Sequence, residues 1–265
     1  MIRSLYTAAT GMKAQQLNID TISNNLSNVN TNGYKTQRAE FKDLLYVAMK
    51  KTNLTDDGGA PVNLEVGHGV MPTATTRDFR KGSLIPTENP LDFAIDGEGF
   101  FSVLLPNEQV RYTRDGSFKL SVDGDEAMLV TSDGYIVLDE DDAEIIIESG
   151  MKDINVDQFG YITARDEDDE IIEIGRLKIV NFINPAGLLS EGQNLFSMTA
   201  ASGEEYMLEP EEMESKIIQR YLEASNVQVV DEMVNMITAQ RAYEINSKTI
   251  QVSDEMLQMA NNLRR

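Results

Sequence analysis

The chain has 265 residues, 41% of them apolar, with no cysteine and no tryptophan. Disulfides and thiolate metal sites are therefore excluded, and a formal net charge of −21 argues against nucleic-acid binding as the main task. The length suffices for one sizeable core or for two modules.

Charge and turn residues segregate along the chain. Residues 1–55 carry seven Lys/Arg and three Asp/Glu, residues 216–265 carry six of each, and residues 56–215 carry ten against thirty-five. Such an acidic stretch is ordinarily a solvated face. All seven prolines lie between Pro61 and Pro210; only Gly11 and Gly33 precede Gly58, and no glycine follows Gly203. Both ends are thus free of helix breakers over long spans, while the middle is punctuated throughout. The reading is an α+β chain in which paired, coiled-coil-like N- and C-terminal helices flank a central antiparallel β-rich domain.

The N-terminal helical region is expected over 1–33. Ile2, Leu5, Ala9, Met12, Gln16, Ile19, Ser23 and Leu26 alternate in steps of three and four, the spacing of a coiled-coil seam with two polar interruptions. The stretch SNNLSNVNTNGYK (23–35) contains five asparagines. Asparagine is a poor helix former because its amide competes for backbone groups, and the Asn-Thr-Asn-Gly run ending at Gly33 is the expected stop. A connecting segment follows over 34–74. Within it, YVAMKKTNLTDDGGAPVNLEV (46–66) has no clear period and reads as an extended or loop-like insertion.

The middle, 75–210, alternates short apolar runs with Gly/Asp turns, as in LDFAIDGEGFFSVLL (91–105), YTRDGSFKLSVDGDEAMLV (112–130) and SDGYIVLDED (132–141). Asp-Gly between alternating apolar segments is a hairpin signal. A second connection is expected over 211–224 and the C-terminal helix over 225–265. There Val229, Met236, Tyr243, Ile250 and Leu257 recur every seven residues, with Met233, Gln240, Ser247 and Asp254 as companions that turn polar. So thin a stripe needs a partner helix, and the N-terminal seam is the candidate.

Catalytic chemistry has no foothold. The single histidine, His68, sits between glycines and reads as a turn or surface residue. DGEGFF (96–101) lacks the third glycine and following helix of a phosphate loop. The acidic runs at 139–144 and 165–170 lack the ligand spacing of a calcium loop. No cofactor, metal or enzymatic activity is expected. No apolar run reaches transmembrane length, and the N-terminus lacks the apolar core of a cleavable signal, so no membrane insertion is expected and any export takes another route.

Several segments, in order along nearly the whole chain, resemble the axial rod and hook proteins of the bacterial flagellum: SNNLSNVNTNGYK with its preceding helix, NPLDFAIDGEGFF (89–101), YTRDGSFKL (112–120) and LEASNVQVVDEMVNMITAQRAYEINSKTIQVSDEML (222–257). The length, the insertion after FKDLLY and QRAYEINSKTIQ are most similar to the distal-rod members; a proximal rod or hook protein is the runner-up, and a monomeric envelope binding module is the reading from another class. The resemblance implies a periplasmic rod subunit of the basal body, exported without a cleaved signal by the flagellum's type III apparatus. It implies helical self-assembly into a hollow, rigid drive shaft, with the terminal helices around the channel and the acidic domain outward. Expected partners are copies of itself, proximal rod proteins, the hook protein, the envelope ring bushing and the export apparatus.

On this reading the subunit interface uses Leu5, Met12, Ile19, Asn24, Asn25, Leu26 and Asn28 from the first helix. From the last helix it uses Met236, Gln240, Arg241, Tyr243, Asn246, Ile250 and Leu257. Gly33 makes the turn, and the 46–66 segment bridges neighbours and stiffens the tube. A polar helix end with no partner contacts is the competing account of the asparagines.

Overall fold

A computed structural model describes residues 2–50, 64–124, 126–148, 151–166, 169–207 and 215–262. It divides into two compact units: Met1–Ser27, Gln37–Arg77 and Gln228–Arg265 form one, and Asn28–Thr36 with Asp78–Val227 form the other.

The first unit contains two helices, α1 (Ile2–Ser27) and α2 (Val229–Asn262), and a β-ribbon. Strand β1 (Gln37–Asp43) pairs antiparallel with β4 (Val70–Arg77), and β2 (Tyr46–Lys50) pairs with β3 (Leu64–Gly67). The ribbon is interrupted where Leu44 N–H donates to the Gly69 carbonyl and His68 Nδ1 lies 3.0 Å from the Leu45 carbonyl. The arms of the 46–66 segment are therefore strands rather than loop; its middle, 51–63, lies outside the described residues. The missing period has a physical cause. Tyr46 to Met49 and Leu64 are all exposed, so no buried face forces apolar and polar residues to alternate.

Helix α1 closes at Ser27, before the Asn-Thr-Asn-Gly run expected to end it. Asn28 starts a turn instead: its carbonyl accepts from Thr31 N–H and its Oδ1 from Thr31 Oγ1. This is the competition between polar side chains and helical hydrogen bonds that disfavours these residues in helices.

The second unit is β-rich and antiparallel. Its ten-stranded sheet is organised around Phe100–Leu104, which pairs with Val110–Thr113, Ile136–Val137 and Ile179–Asn181. A three-stranded sheet runs Lys152–Val156, Tyr161–Arg165, Ile171–Arg176. The stretch expected to be a connection just before α2 also joins this unit: Lys216–Gln219 pairs with Phe93–Asp96, and Tyr221–Glu223 pairs with Leu84–Pro86.

Two apolar clusters fill the unit. One gathers Phe93, Phe101, Phe118, Leu129, Ile162 and Ile179 among others. The other stacks Phe100, Phe182 and Phe196 with Tyr112 and Phe79, edge to face at 4.9–5.9 Å between ring centres. Each buried ring contributes about 1.5–3 kcal/mol by transfer from water.

Candidate assembly interface

Three contacts set how α1 and α2 pair. Ser4 Oγ lies 3.4 Å from Ser253 Oγ. A Cβ added to Gly11 would come within 2.9 Å of Asn246 Nδ2. Asn25 Nδ2 donates to Glu232 Oε2 at 3.2 Å. The helices are antiparallel, and each step of seven along α1 matches a step of seven back along α2; the intermediate step brings Asn18 level with the buried Ala239. Small side chains at this seam let the backbones approach.

The three contacts fall one position before the expected seam: Ser4, Gly11 and Asn25 in place of Leu5, Met12 and Leu26. The same offset holds on α2, where Glu232, Asn246 and Ser253 make the contacts one position before Met233, Ser247 and Asp254, and Ala239 is buried beside the exposed Gln240. The reason is that α1 has a second neighbour, the ribbon. Gly69 of the ribbon sits so close to Thr10 that a side chain there would overlap its hydroxyl. Leu5, Met12, Ile19 and Leu26 are half-buried, while Ala8, Ala14, Thr21, Ile22 and Asn25 are fully buried. On α2, Met236, Asn246, Ile250 and Leu257 are half-buried, and Gln240, Arg241 and Tyr243 are exposed.

The asparagines separate into distinct roles. Asn24 is exposed and Asn28 half-buried. Asn25 is 1% exposed; its Nδ2 donates to the Gln37 carbonyl at 2.8 Å and its Oδ1 accepts from Gln37 N–H at 2.9 Å. Its amide is thus engaged within its own chain.

Large apolar side chains remain uncovered on α2. Val230, Met233, Val234 and Ile237 are exposed near its start, Ile245 at its middle, and Val252, Met256 and Met259 in its second half. Except for Met233, these escaped the sequence reading because they lie off the seven-residue stripe. The signal was present: Val230, Met233, Val234 and Ile237 follow i, i+3, i+4, i+7 spacing, which marks one helical face.

Gly33 begins a buried junction inside the β-rich unit. Its φ is +66°, and an added Cβ would lie 2.7 Å from the Arg114 carbonyl carbon, so both conformation and space demand glycine. Two residues on, Lys35 Nζ meets Glu223 Oε1 at 2.6 Å, with both side chains 1% exposed. Lys35 also donates to the Arg80 carbonyl. Arg114 lies 3.7 Å from Glu223 and over the Phe100 ring. Burial first, then the Arg114 charge, pulls the Lys35 pKa below its ordinary value against the opposing pull of Glu223. Asn226 closes the junction: it accepts from Thr36 N–H and Oγ1 and donates to the Asp78 and Arg80 carbonyls.

Comparison with known proteins decides the family. Three family models match: "Flagella basal body rod protein" over residues 5–35, "Flagellar hook protein FlgE/F/G D1 domain" over 94–164 and "Flagellar basal body rod FlgEFG protein C-terminal" over 218–263. The chain is 48% identical to the flagellar basal-body rod protein FlgG of Borreliella burgdorferi, with both chains covered in full. It is 43% identical to FlgG of Buchnera aphidicola subsp. Schizaphis graminum, over 99% of this chain and 100% of that one. It is 35% identical to the flagellar hook-basal body complex protein FlhP of Bacillus subtilis, again over both full lengths. The chain belongs to the flagellar basal-body rod family.

The rod-family models cover the elements described above. The first takes in most of α1 and the turn through Gly33 to Lys35, and the last takes in the end of the Lys216–Gln219 strand, the Tyr221–Glu223 strand and the whole of α2. The family is one of structural rod proteins and not an enzyme family. Among the described residues, no group of three or more His, Asp or Glu side chains is placed to hold a metal ion, and no helix is long and apolar enough to cross a membrane.

Proposed function

We propose that this chain is a structural subunit of the flagellar distal rod. It polymerises helically with copies of itself into the hollow, rigid shaft that carries torque from motor to hook and encloses the export channel. The observation that supports this most directly is the uncovered apolar surface of α2. Val230, Met233, Val234, Ile237, Ile245 and Val252 are 43–73% exposed in the single chain, and exposed patches of this kind mark interaction surfaces. Likeness to full-length basal-body rod proteins named FlgG supplies the identity of the assembly.

Of the residues expected at the subunit interface, Asn24, Gln240, Arg241 and Tyr243 are exposed on the single chain. Leu5, Met12, Ile19, Leu26, Asn28, Met236, Ile250 and Leu257 contribute through their uncovered portions, and the seven-residue register continues as a coiled coil along the shaft. Gly33, Asn25 and Asn246 act by shaping the subunit itself. Proximal rod proteins, the hook protein, the ring bushing and the type III export apparatus complete the set of partners.

The test is concentration-dependent polymerisation of the full-length chain, followed by cryo-electron imaging. Straight hollow tubes are expected. A chain that stays monomeric at high concentration with ordered terminal helices would contradict the proposal.

A further inference from the structure

Two exposed apolar surfaces of the helical unit lie at opposite ends of the α1–α2 pair. The first is the face formed by Val230, Met233, Val234 and Ile237, which are 73%, 52%, 55% and 49% exposed. Because Glu232 meets Asn25, this face lies level with the last turns of α1. The second is a groove of about 530 Å³ beside the first turns of α1, lined by Arg3, Tyr6, Leu44, Leu45, Val47 and His68. Leu45 is 87% exposed and Tyr6 55%. About 20 residues of helix, roughly 30 Å, separate the two, so neither covers the other within one chain.

We propose that the groove of one copy receives the Val230–Ile237 face of the next, a head-to-tail contact that rests on the polymer reading above. Charge identifies the occupant. Arg3 lines the groove, and Asp231 belongs to the acidic first turn of α2 that flanks the face, so groove against face brings opposite charges together. Groove against groove would set Arg3 against Arg3, and face against face Asp231 against Asp231; like charges disfavour both. A contact between two unlike surfaces at opposite ends of a subunit repeats without closing, which generates an open filament rather than a dimer. The aliphatic and methionine side chains of the face also match the Leu, Val and Tyr lining of the groove.

The chain has no cysteine, so introduced thiols report alone. The double variant Leu45→Cys/Met233→Cys, assembled at high concentration and then oxidised, is expected to give a ladder of covalent multimers. Either single variant is expected to give monomer only. Dimers from a single variant overturn the head-to-tail arrangement, and an assembled double variant that yields only monomer overturns the docking itself.

A charge-reversal series provides an independent reading should the thiol variants not assemble. Arg3→Asp and Asp231→Arg should each slow assembly at least tenfold, and the chain carrying both should recover to within about twofold of wild type. A double variant that stays as slow as the singles counts against the pairing. Wild-type chain that never polymerises overturns the subunit reading together with this one, whereas wild-type tubes without the ladder overturn this one alone.

Discussion

Asn25 holds Gln37 the way one strand holds another: its side-chain amide accepts from Gln37 N–H at 2.9 Å and donates to the Gln37 carbonyl at 2.8 Å. A primary amide presents the same donor and acceptor as a peptide group. A buried helix residue can therefore satisfy both backbone groups of the residue that opens β1, and the Asn25 amide nitrogen also donates to Glu232. Asn25→Leu keeps the approximate volume but leaves these groups unpaired. The expected cost is about 2–4 kcal/mol, since each buried unsatisfied group costs roughly 1–3 kcal/mol. Urea denaturation followed by far-ultraviolet circular dichroism measures it, and a loss below experimental error would mean that water replaces the amide.

The Lys35–Glu223–Arg114 cluster makes a different prediction. Glu223→Gln leaves two buried cations without their carboxylate and should destabilise the β-rich unit by about 3–5 kcal/mol, as breaking a buried ion pair from one side does. Replacing both partners, Lys35→Met with Glu223→Met, should cost markedly less. Equal losses in the two variants, measured by thermal or urea unfolding, would show that the shape of the side chains matters here and not their charge.

The same cluster predicts a pH dependence. The unfolded chain keeps the Lys35 proton up to about 10.5, whereas the fold, by burying the ammonium, gives it up at lower pH. Between those two values the unfolded state binds more protons, so the contribution of Lys35 to stability rises with pH. Wild-type stability minus that of Lys35→Met should therefore grow with alkaline pH across this window. A difference that shrinks instead would mean that Glu223 outweighs burial.

Helix α2 carries two kinds of apolar residue that substitution should separate. Met236 and Ile250 are half-covered within their own subunit, whereas Val234 and Ile237 are 55% and 49% exposed. Met236→Asp or Ile250→Asp should loosen the α1–α2 pair and lower helical signal in the monomer while the β-rich unit stays folded. Val234→Asp or Ile237→Asp should leave monomer spectra and unfolding unchanged yet block polymerisation. Normal assembly of the second group, judged by sedimentation, would remove that face from the interface.

Gly33→Ala tests the junction directly. The left-handed φ of +66° and the 2.7 Å approach to Arg114 together make a methyl group costly. Strained left-handed residues alone cost about 1–3 kcal/mol, and the overlap with backbone adds to that. Unfolding of the purified variant gives the number.

Much of this architecture was legible from local signals. Long spans without proline or glycine marked both helices, and Asp-Gly steps marked hairpins such as the one where Thr131 N–H donates to the Tyr135 carbonyl across Gly134. The rotation of the seam by one residue was not legible. The 3–4 spacing of α1 shows which residues share a face, but not that this face is divided between α2 and the β-ribbon. Nor was the bond from Lys35 to Glu223. No local pattern links residues so far apart, and a charged pair with 1% exposure runs against the usual expectation that such side chains stay in water. Asn25 was placed correctly at the edge of a helix but assigned outward, because composition shows that an amide is present and not where it points.

The closest approaches between α1 and α2 repeat every seven residues, and the serine, glycine and alanine among them offer little steric resistance to sliding. A slip by one repeat, about 10 Å, would set Ser4 level with Asn246 and Gly11 with Ala239, pairings with little steric objection. What breaks this degeneracy is the far end, where Asn25 is already held by Gln37 and meets Glu232. The pair thus behaves as a vernier with a single index mark: one asparagine sets the zero of a long scale whose other divisions look alike.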